Sequence, residues 1–348
     1  MKALVFIGTN QKEWKEQPRP TIVKSTDVIV RMHKTTICGT DLHILHGNVE
    51  TVTPGRILGH EGIGFVSEIG KDVQRFQVGD KVLISCITSC GHCENCKIDF
   101  YGHCKDGGWQ LGNTIDGCQA EYVRIPHGDF SLYHVPEDAE EDGFVMLSDV
   151  LPTGLEVGVL EGKVRAGCSV AVVGVGPIGL SSIISATAFS PSKIMAIDMD
   201  PNRLQVACEL GATHSINNSD GSAVDQIMQL THGKGVDVAI EAIGTPIGWD
   251  ICENIVAAGG NIAILGVHGK SVTLHLERMW KRNFTLTAGL VHTSSIPTLM
   301  DRVMSGAINP KLLINQAFKL SEMERAYEVF GNASKYKALK VLIENDIS

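Results

Sequence analysis

Ser169-Val170-Ala171-Val172-Val173-Gly174-Val175-Gly176-Pro177-Ile178-Gly179 is a β-branched run that ends in glycines spaced G-x-G-x-x-G. The apolar run reads as a strand and the glycines open a helix, with Pro177 at a first-turn position that tolerates proline. Each glycine answers a separate demand. Gly174 permits the tight turn, Gly176 lets backbone approach a pyrophosphate, and Gly179 lets the helix pack closely on the strand. Val175 and Ile178 occupy the variable positions, and the helix N-terminus then offers free N–H groups to phosphates. Asp198 ends the next strand-like run, nineteen residues after Gly179. A carboxylate there accepts hydrogen bonds from both adenosine-ribose hydroxyls and repels a 2′-phosphate, so the loop reads as an NAD(H) site rather than an NADP site. Arg203, just beyond, is able to accommodate that phosphate; with Asp198 in place it is expected near the adenine instead.

Outward from this loop, strand and helix alternate. Lys193–Asp198 leads to a helix over 201–210, closed by Gly211. Further strand-like runs lie at Val236–Glu241, Asn261–Leu265 and Phe284–Thr287, with helical segments between most of them. That rhythm predicts an α/β fold, a parallel sheet wound on both faces. Before about residue 153, short strands such as Asp27–Met32, Gly62–Ile69 and Gly79–Ile84 sit between glycine-rich turns and predict a barrel-like β domain. After about 291 the mixed pattern returns. The α/β unit, 153–290, is therefore expected as an insertion in a discontinuous first domain, 1–152 with 291–348.

Composition narrows the function. Hydrophobic residues at 43% and charged residues at 20% suit a globular chain. A net charge of −9 repels phosphate backbones and weighs against nucleic-acid binding. No apolar run reaches the roughly 18 residues that span a bilayer, so no membrane partner is expected. The start, Met1–Ile7, stops at Gly8 without the pattern of a signal peptide, and a cytoplasmic location is expected.

Four of the ten cysteines, Cys90, Cys93, Cys96 and Cys104, fall in C-x2-C-x2-C-x7-C. Four thiolates so spaced can wrap one zinc tetrahedrally, and a closed sulfur shell leaves no open position for chemistry. This reads as a structural zinc. His92 and His103 lie inside the cluster and are able to replace a thiolate or to stand as solvated neighbours. The scattered cysteines, Cys86 among them, read as buried packing.

A second metal set has to be assembled from distant positions. Cys38, in Ile37-Cys38-Gly39-Thr40-Asp41-Leu42-His43, and His60, in Gly59-His60-Glu61-Gly62-Ile63-Gly64, would with a carboxylate give three ligands and a vacant fourth position. The latter stretch, followed by Gly70 and Val73, resembles the zinc signature of medium-chain zinc alcohol dehydrogenases. Cys38–Asp41, the cysteine lobe and the glycine loop follow in that family's order. The resemblance implies a GroES-like catalytic domain, a Rossmann-type cofactor domain, two zincs per subunit and a homotetramer. It makes Asp149, in Leu147–Gly154, the third catalytic ligand, and Glu61 an intermittent fourth. It makes Thr40 the partner of the substrate oxygen and His43 the proton acceptor, reached by way of the nicotinamide ribose. Backbone at Val267 and Leu290 would flank the nicotinamide, and Lys340 would contact a cofactor phosphate. Gly108–Asn113 with Asp116-Gly117 is similar to bacterial secondary-alcohol dehydrogenases that use Cys, His and Asp, with Trp109 as a pocket wall or as ordinary packing. Those relatives include NADP-using members without the structural zinc, whereas this chain carries Asp198 and the full cysteine lobe.

The expected activity is thus zinc-dependent hydride transfer between NAD(H) and an alcohol, in the first place a secondary one, or its ketone. A polyol, 2,3-diol or amino-alcohol substrate is the alternative within the superfamily. A non-enzymatic zinc-binding interaction module is the remote one, opposed by the acidic charge and the glycine loop.

Overall fold

The computed structural model describes residues 1–346. The chain separates into two compact units, Met1–Pro152 together with His292 onward, and Thr153–Val291.

In the second unit, Val170 to Val173 are fully buried, because β-branched side chains pack well on a pleated surface covered on both faces. Their strand, Ser169–Val173, lies in a six-stranded sheet. Numbered along the chain, the strands are Ser169–Val173, Lys193–Asp198, His214–Asn217, Val236–Glu241, Val256–Ile264 and Thr285–Ala288, in the spatial order third, second, first, fourth, fifth, sixth. Every pairing is parallel. The order reverses between Ser169–Val173 and Val236–Glu241, and the carboxyl ends of strands at such a switch point are where open parallel sheets bind ligands. The connecting helices start on built caps. Asp200 accepts the Asn202 N–H at 2.8 Å before helix Pro201–Glu209, and Thr245 accepts the Gly248 N–H before helix Pro246–Ile255. Both helices carry proline in the first turn, where no hydrogen bond is lost.

The first unit is β-rich, as expected. Its larger sheet has seven strands, centred on Val28–Ile37, which runs five residues beyond the expected Met32. Two late strands complete it. Lys340–Glu344 pairs antiparallel with the end of Val28–Ile37, Val341 facing Ile37, and Ile314–Lys319 pairs parallel with Lys340–Glu344. This return of the chain carries residue 340 to the place where Cys38 leaves the sheet. Among the described residues, no single helix is long and apolar enough to cross a membrane.

Candidate metal and cofactor sites

Cys38 leaves strand Val28–Ile37 and immediately precedes helix Gly39–Leu45, where the Asp41 carboxylate accepts the Cys38 N–H at 2.9 Å. An acid at the third position of a helix satisfies an end N–H and meets the favourable end of the dipole. His60 and Glu61 directly precede strand Gly62–Ile69. Ser148 Oγ accepts the Gly62 N–H at 3.1 Å and its carbonyl accepts the Cys86 N–H at 3.0 Å, which anchors the segment that carries Asp149. One ligand atom each from Cys38, His60, Glu61 and Asp149 falls within 4.8 Å of the others, and all four residues are buried. Asp149 Oδ2 stands 3.3 Å from His60 Nε2 and 3.7 Å from Cys38 Sγ.

Burial pushes the Cys38 thiol up and holds Glu61 at about 7 against the pull of Lys340. Burial alone would lower His60, but its hydrogen bonds to Asp149 and Cys38 reverse this and push it well above the ordinary imidazole range. Burial thus favours the neutral thiol and carboxyl, and the anionic neighbours favour the proton on His60. Cys38 and Asp149 as anions with a neutral imidazole would balance a divalent cation, and mixed sulfur, nitrogen and oxygen donors suit zinc. Two orphaned atoms agree with that fit. His60 Nδ1 and Asp41 Oδ1 are buried without hydrogen-bond partners and face each other at 4.0 Å. An imidazole that gives Nε2 to a metal carries its proton on Nδ1 and gives it to a carboxylate behind.

Lys340 corrects the sequence reading. It is fully buried, and its ammonium lies 2.9 and 2.7 Å from the two Glu61 carboxylate oxygens rather than being offered to a cofactor phosphate. Thr36 also donates its hydroxyl to Glu61. Glu61 is therefore held from behind while one oxygen stays within reach of the cluster.

Thr40 and His43 lie three apart on helix Gly39–Leu45, a spacing that puts them on one face. Thr40 Oγ1 is 3.6 Å from Cys38 Sγ, and His43 Nδ1 is 3.2 Å from the Asn48 side-chain amide. Trp109 meets His60 edge-on, ring centroids 6.2 Å apart, and donates Nε1–H to the Leu111 carbonyl. It packs against the core and stands beside His60 at once. Sequence reasoning passed over Cys86. Its buried thiol donates to Asp149 Oδ1 at 3.5 Å, so Asp149 keeps Oδ2 toward His60 and Cys38.

The four-cysteine lobe is built locally. Cys90 and Cys96 sulfurs are 3.9 Å apart, and those of Cys93 and Cys104 are 4.0 Å apart. Four sulfurs at about 2.3 Å from one zinc would stand about 3.8 Å from each other. Backbone N–H groups of Cys90 and Cys93 point at the sulfurs of Cys104 and Cys90. Neither histidine joins the set. His92 Nδ1 bonds the Cys90 carbonyl at 2.8 Å, and the His103 ring stacks on Phe100.

In the second unit, Gly174 adopts φ +89°, and a Cβ on Gly179 would lie 2.0 Å from the Gly174 carbonyl oxygen. A Cβ on Gly176 would meet only Arg203 Nη1, at 3.9 Å, which leaves room above the helix N-terminus. Asp198 Oδ2 accepts the Val175 N–H at 2.9 Å, and Oδ1 accepts the N–H groups of Met199 and Asp200. Arg203 Nη1 lies 3.9 Å from Asp198, so the guanidinium sits beside the carboxylate and its charge is partly matched. Val267 and Leu290 follow strands Val256–Ile264 and Thr285–Ala288 and are each about one-third exposed. Glu241, also missed, is fully buried at the end of its strand. It accepts the Ile243 and Gly244 N–H groups and faces His268 Nε2 at 3.2 Å.

The alcohol dehydrogenase GroES-like domain family matches residues 24–137, and the zinc-binding dehydrogenase family matches residues 177–305. A solved structure, the apo form of zinc-dependent alcohol dehydrogenase 2 from Streptococcus pneumonia, is 50% identical with a TM-score of 0.96 and covers 100% of this chain and 99% of its own. An alcohol dehydrogenase of Cupriavidus necator is 31% identical over 99% of this chain and 98% of its own length. An NADP-dependent isopropanol dehydrogenase of Clostridium beijerinckii is 32% identical over 80% of each.

Proposed function

This chain belongs to the zinc-dependent alcohol dehydrogenase family, and from that premise we propose that it moves a hydride between NAD(H) and a secondary alcohol or its ketone. Cys38, His60 and Asp149 hold the catalytic zinc in this reading, Glu61 stands by as a fourth donor, and Cys90, Cys93, Cys96 and Cys104 hold a second zinc. The observation that carries it is the buried donor set with His60 Nδ1 and Asp41 Oδ1 left facing each other.

Bound zinc supplies the Lewis acidity that brings an oxygen–hydrogen bond from well above neutral to a pKa of about 7. The rest falls to the chain. Thr40 Oγ1 accepts a hydrogen bond from the substrate hydroxyl and, as it takes that proton, gives up its own. His43, half-buried on the same helix face, is the group that receives the released proton and exchanges it with solvent. Trp109 closes one side of the cluster with an apolar ring, which favours small carbon substituents there. Gly174–Gly179 and Asp198 hold the dinucleotide, with Val267 and Leu290 backbone at the nicotinamide end. The Asp198 carboxylate, already aimed at the glycine loop, supports NAD over NADP because a 2′-phosphate would meet a negative charge. Arg203 supports the opposite choice only weakly while it neighbours that same carboxylate.

Steady-state kinetics with 2-propanol, a 2,3-diol and a polyol, each with NAD and NADP, test the assignment. The highest kcat/KM is expected for 2-propanol with NAD. A preference for the polyol would move the substrate class, and a preference for NADP would overturn the role given to Asp198.

A further inference from the structure

A buried chain of side chains runs behind His60. Tyr327, on helix Met323–Gly331, donates its hydroxyl to Gln119 Oε1 at 2.7 Å. Gln119 Nε2 donates to Asp41 Oδ2 at 3.0 Å and to the Thr36 carbonyl at 3.2 Å. A carboxylate and a carbonyl can only accept, and burial keeps the Tyr327 hydroxyl protonated by pushing it well above its ordinary range, so the amide has one workable orientation. Tyr327, Gln119 and Asp41 are all essentially inaccessible to solvent. Asp41 Oδ2 is thus occupied twice, by Gln119 and by the Cys38 N–H. Its other oxygen is left toward His60 Nδ1. Gln119 is also wedged against the residue that precedes His60. Gly59 has φ +91°, and a Cβ on it would lie 2.6 Å from Gln119 Cγ.

We propose that Gln119 and Tyr327 are positioning residues for the metal-binding imidazole: together they fix the rotation of Asp41, so that its Oδ1 meets His60 Nδ1 when Nε2 takes the metal. The proposal rests on the reading of Cys38, His60 and Asp149 as a zinc site. Loss of the Tyr327 hydroxyl leaves Gln119 Oε1 buried and unmet, and removes the contact that holds the amide in place against Asp41. The carboxylate then loses its fixed orientation and the imidazole loses its support. Groups behind a ligating histidine change metal affinity by about 10–100-fold.

The test compares zinc-loaded, full-length wild type, Tyr327→Phe, Gln119→Leu and His60→Ala. Zinc lost per chain to 1,10-phenanthroline is followed over time, and visible spectra are taken after cobalt replacement. Tyr327→Phe is expected to release one zinc about tenfold faster and to shift the cobalt absorption. The zinc of the cysteine lobe should leave at the wild-type rate in every variant, which reports that the fold is intact. Should Gln119→Leu fail to fold, Tyr327→Phe decides, since it removes one oxygen atom. Wild-type release and an unshifted spectrum in Tyr327→Phe overturn the proposal and leave the zinc reading standing. A His60→Ala protein with the full metal content of wild type overturns that reading and this proposal with it.

Discussion

Two clusters of side chains in the first unit that could each hold a metal ion are built in opposite ways. The lobe draws four identical soft donors from fifteen consecutive residues, Cys90 to Cys104, and points backbone N–H groups at their sulfurs. The buried cluster draws unlike donors from positions as far apart as Cys38 and Asp149, and backs them with Asp41, Lys340, Thr36 and Cys86. A closed sulfur shell built on a short loop staples that loop and has no coordination position to give. An unlike set held by side chains from the core would leave a position for an incoming oxygen in the proposed reading, and its surroundings would set charge and direction. The difference between structure and chemistry lies in what stands behind the donors.

His60→Ala should break the contrast most sharply. Activity is expected to fall at least about a thousandfold, since the several kcal/mol that a Lewis acid supplies are lost at about 1.4 kcal/mol per tenfold. Zinc content should drop by one per chain while the lobe keeps its own. Retained turnover with both zincs in place would put the chemistry elsewhere. Cys104→Ser probes the other side. Losing the lobe zinc should lower Tm on the order of 10 °C, because a structural metal contributes directly to folding. The kcat of molecules still folded at 25 °C should stay within about twofold, because a closed shell touches no substrate. A large fall in kcat at unchanged Tm would make the lobe part of the catalytic apparatus.

The glycine loop and the cysteine lobe were legible because each is contiguous. Turn chemistry and ligand spacing are written in neighbouring residues, and the parallel sheet follows from alternation. The buried cluster was legible only through family likeness, which offered Asp149 beside Cys38 and His60. What backs it left no trace in the sequence. Lys340 reaches Glu61 because Lys340–Glu344 pairs with Val28–Ile37 in one register, and no local pattern encodes a register across three hundred residues. Cys86 read as packing for the same reason. Its hydrogen bond to Asp149 stands beside the one its N–H gives to the Ser148 carbonyl, a pairing of residues more than sixty positions apart.

Without metal, the buried cluster should show its trapped protons. Burial raises Glu61 from 4.5 to about 7 in the folded chain. The folded state then binds more protons than the unfolded state between those values, so this group makes stability fall as pH rises from 4.5 to about 7. Lys340 is charged in both states throughout that window and adds no slope. Glu61→Gln removes the titration. The stability of metal-free wild type relative to Glu61→Gln, measured by urea unfolding, should decline by a few kcal/mol across the window, on the order of 3. A flat difference would mean that Glu61 is already ionised when the metal is absent.

One thiol of the lobe, Cys93, should behave in the opposite way, and here the expected effect is smallest. Backbone N–H groups, first that of Lys105, bring the half-buried Cys93 thiol down to about 6, while burial pushes Cys38 and Cys86 up. In metal-free protein, iodoacetamide should therefore label Cys93 with a rate that rises through pH 6 rather than near the ordinary thiol value of about 8.5. The gain at pH 7 is modest. A more acidic thiol is more ionised but a weaker nucleophile, with a Brønsted slope of about 0.4–0.5, so the net advantage is only about two- to threefold. The pH at half-maximal rate is thus the sharper readout than the rate itself. Peptide mapping should place the first label on Cys93, protected by added zinc, and leave Cys38 and Cys86 unmodified. Early labelling of Cys38 would mean that the buried cluster opens to solvent once its metal is gone, and the contrast between a surface staple and a sealed site would fail.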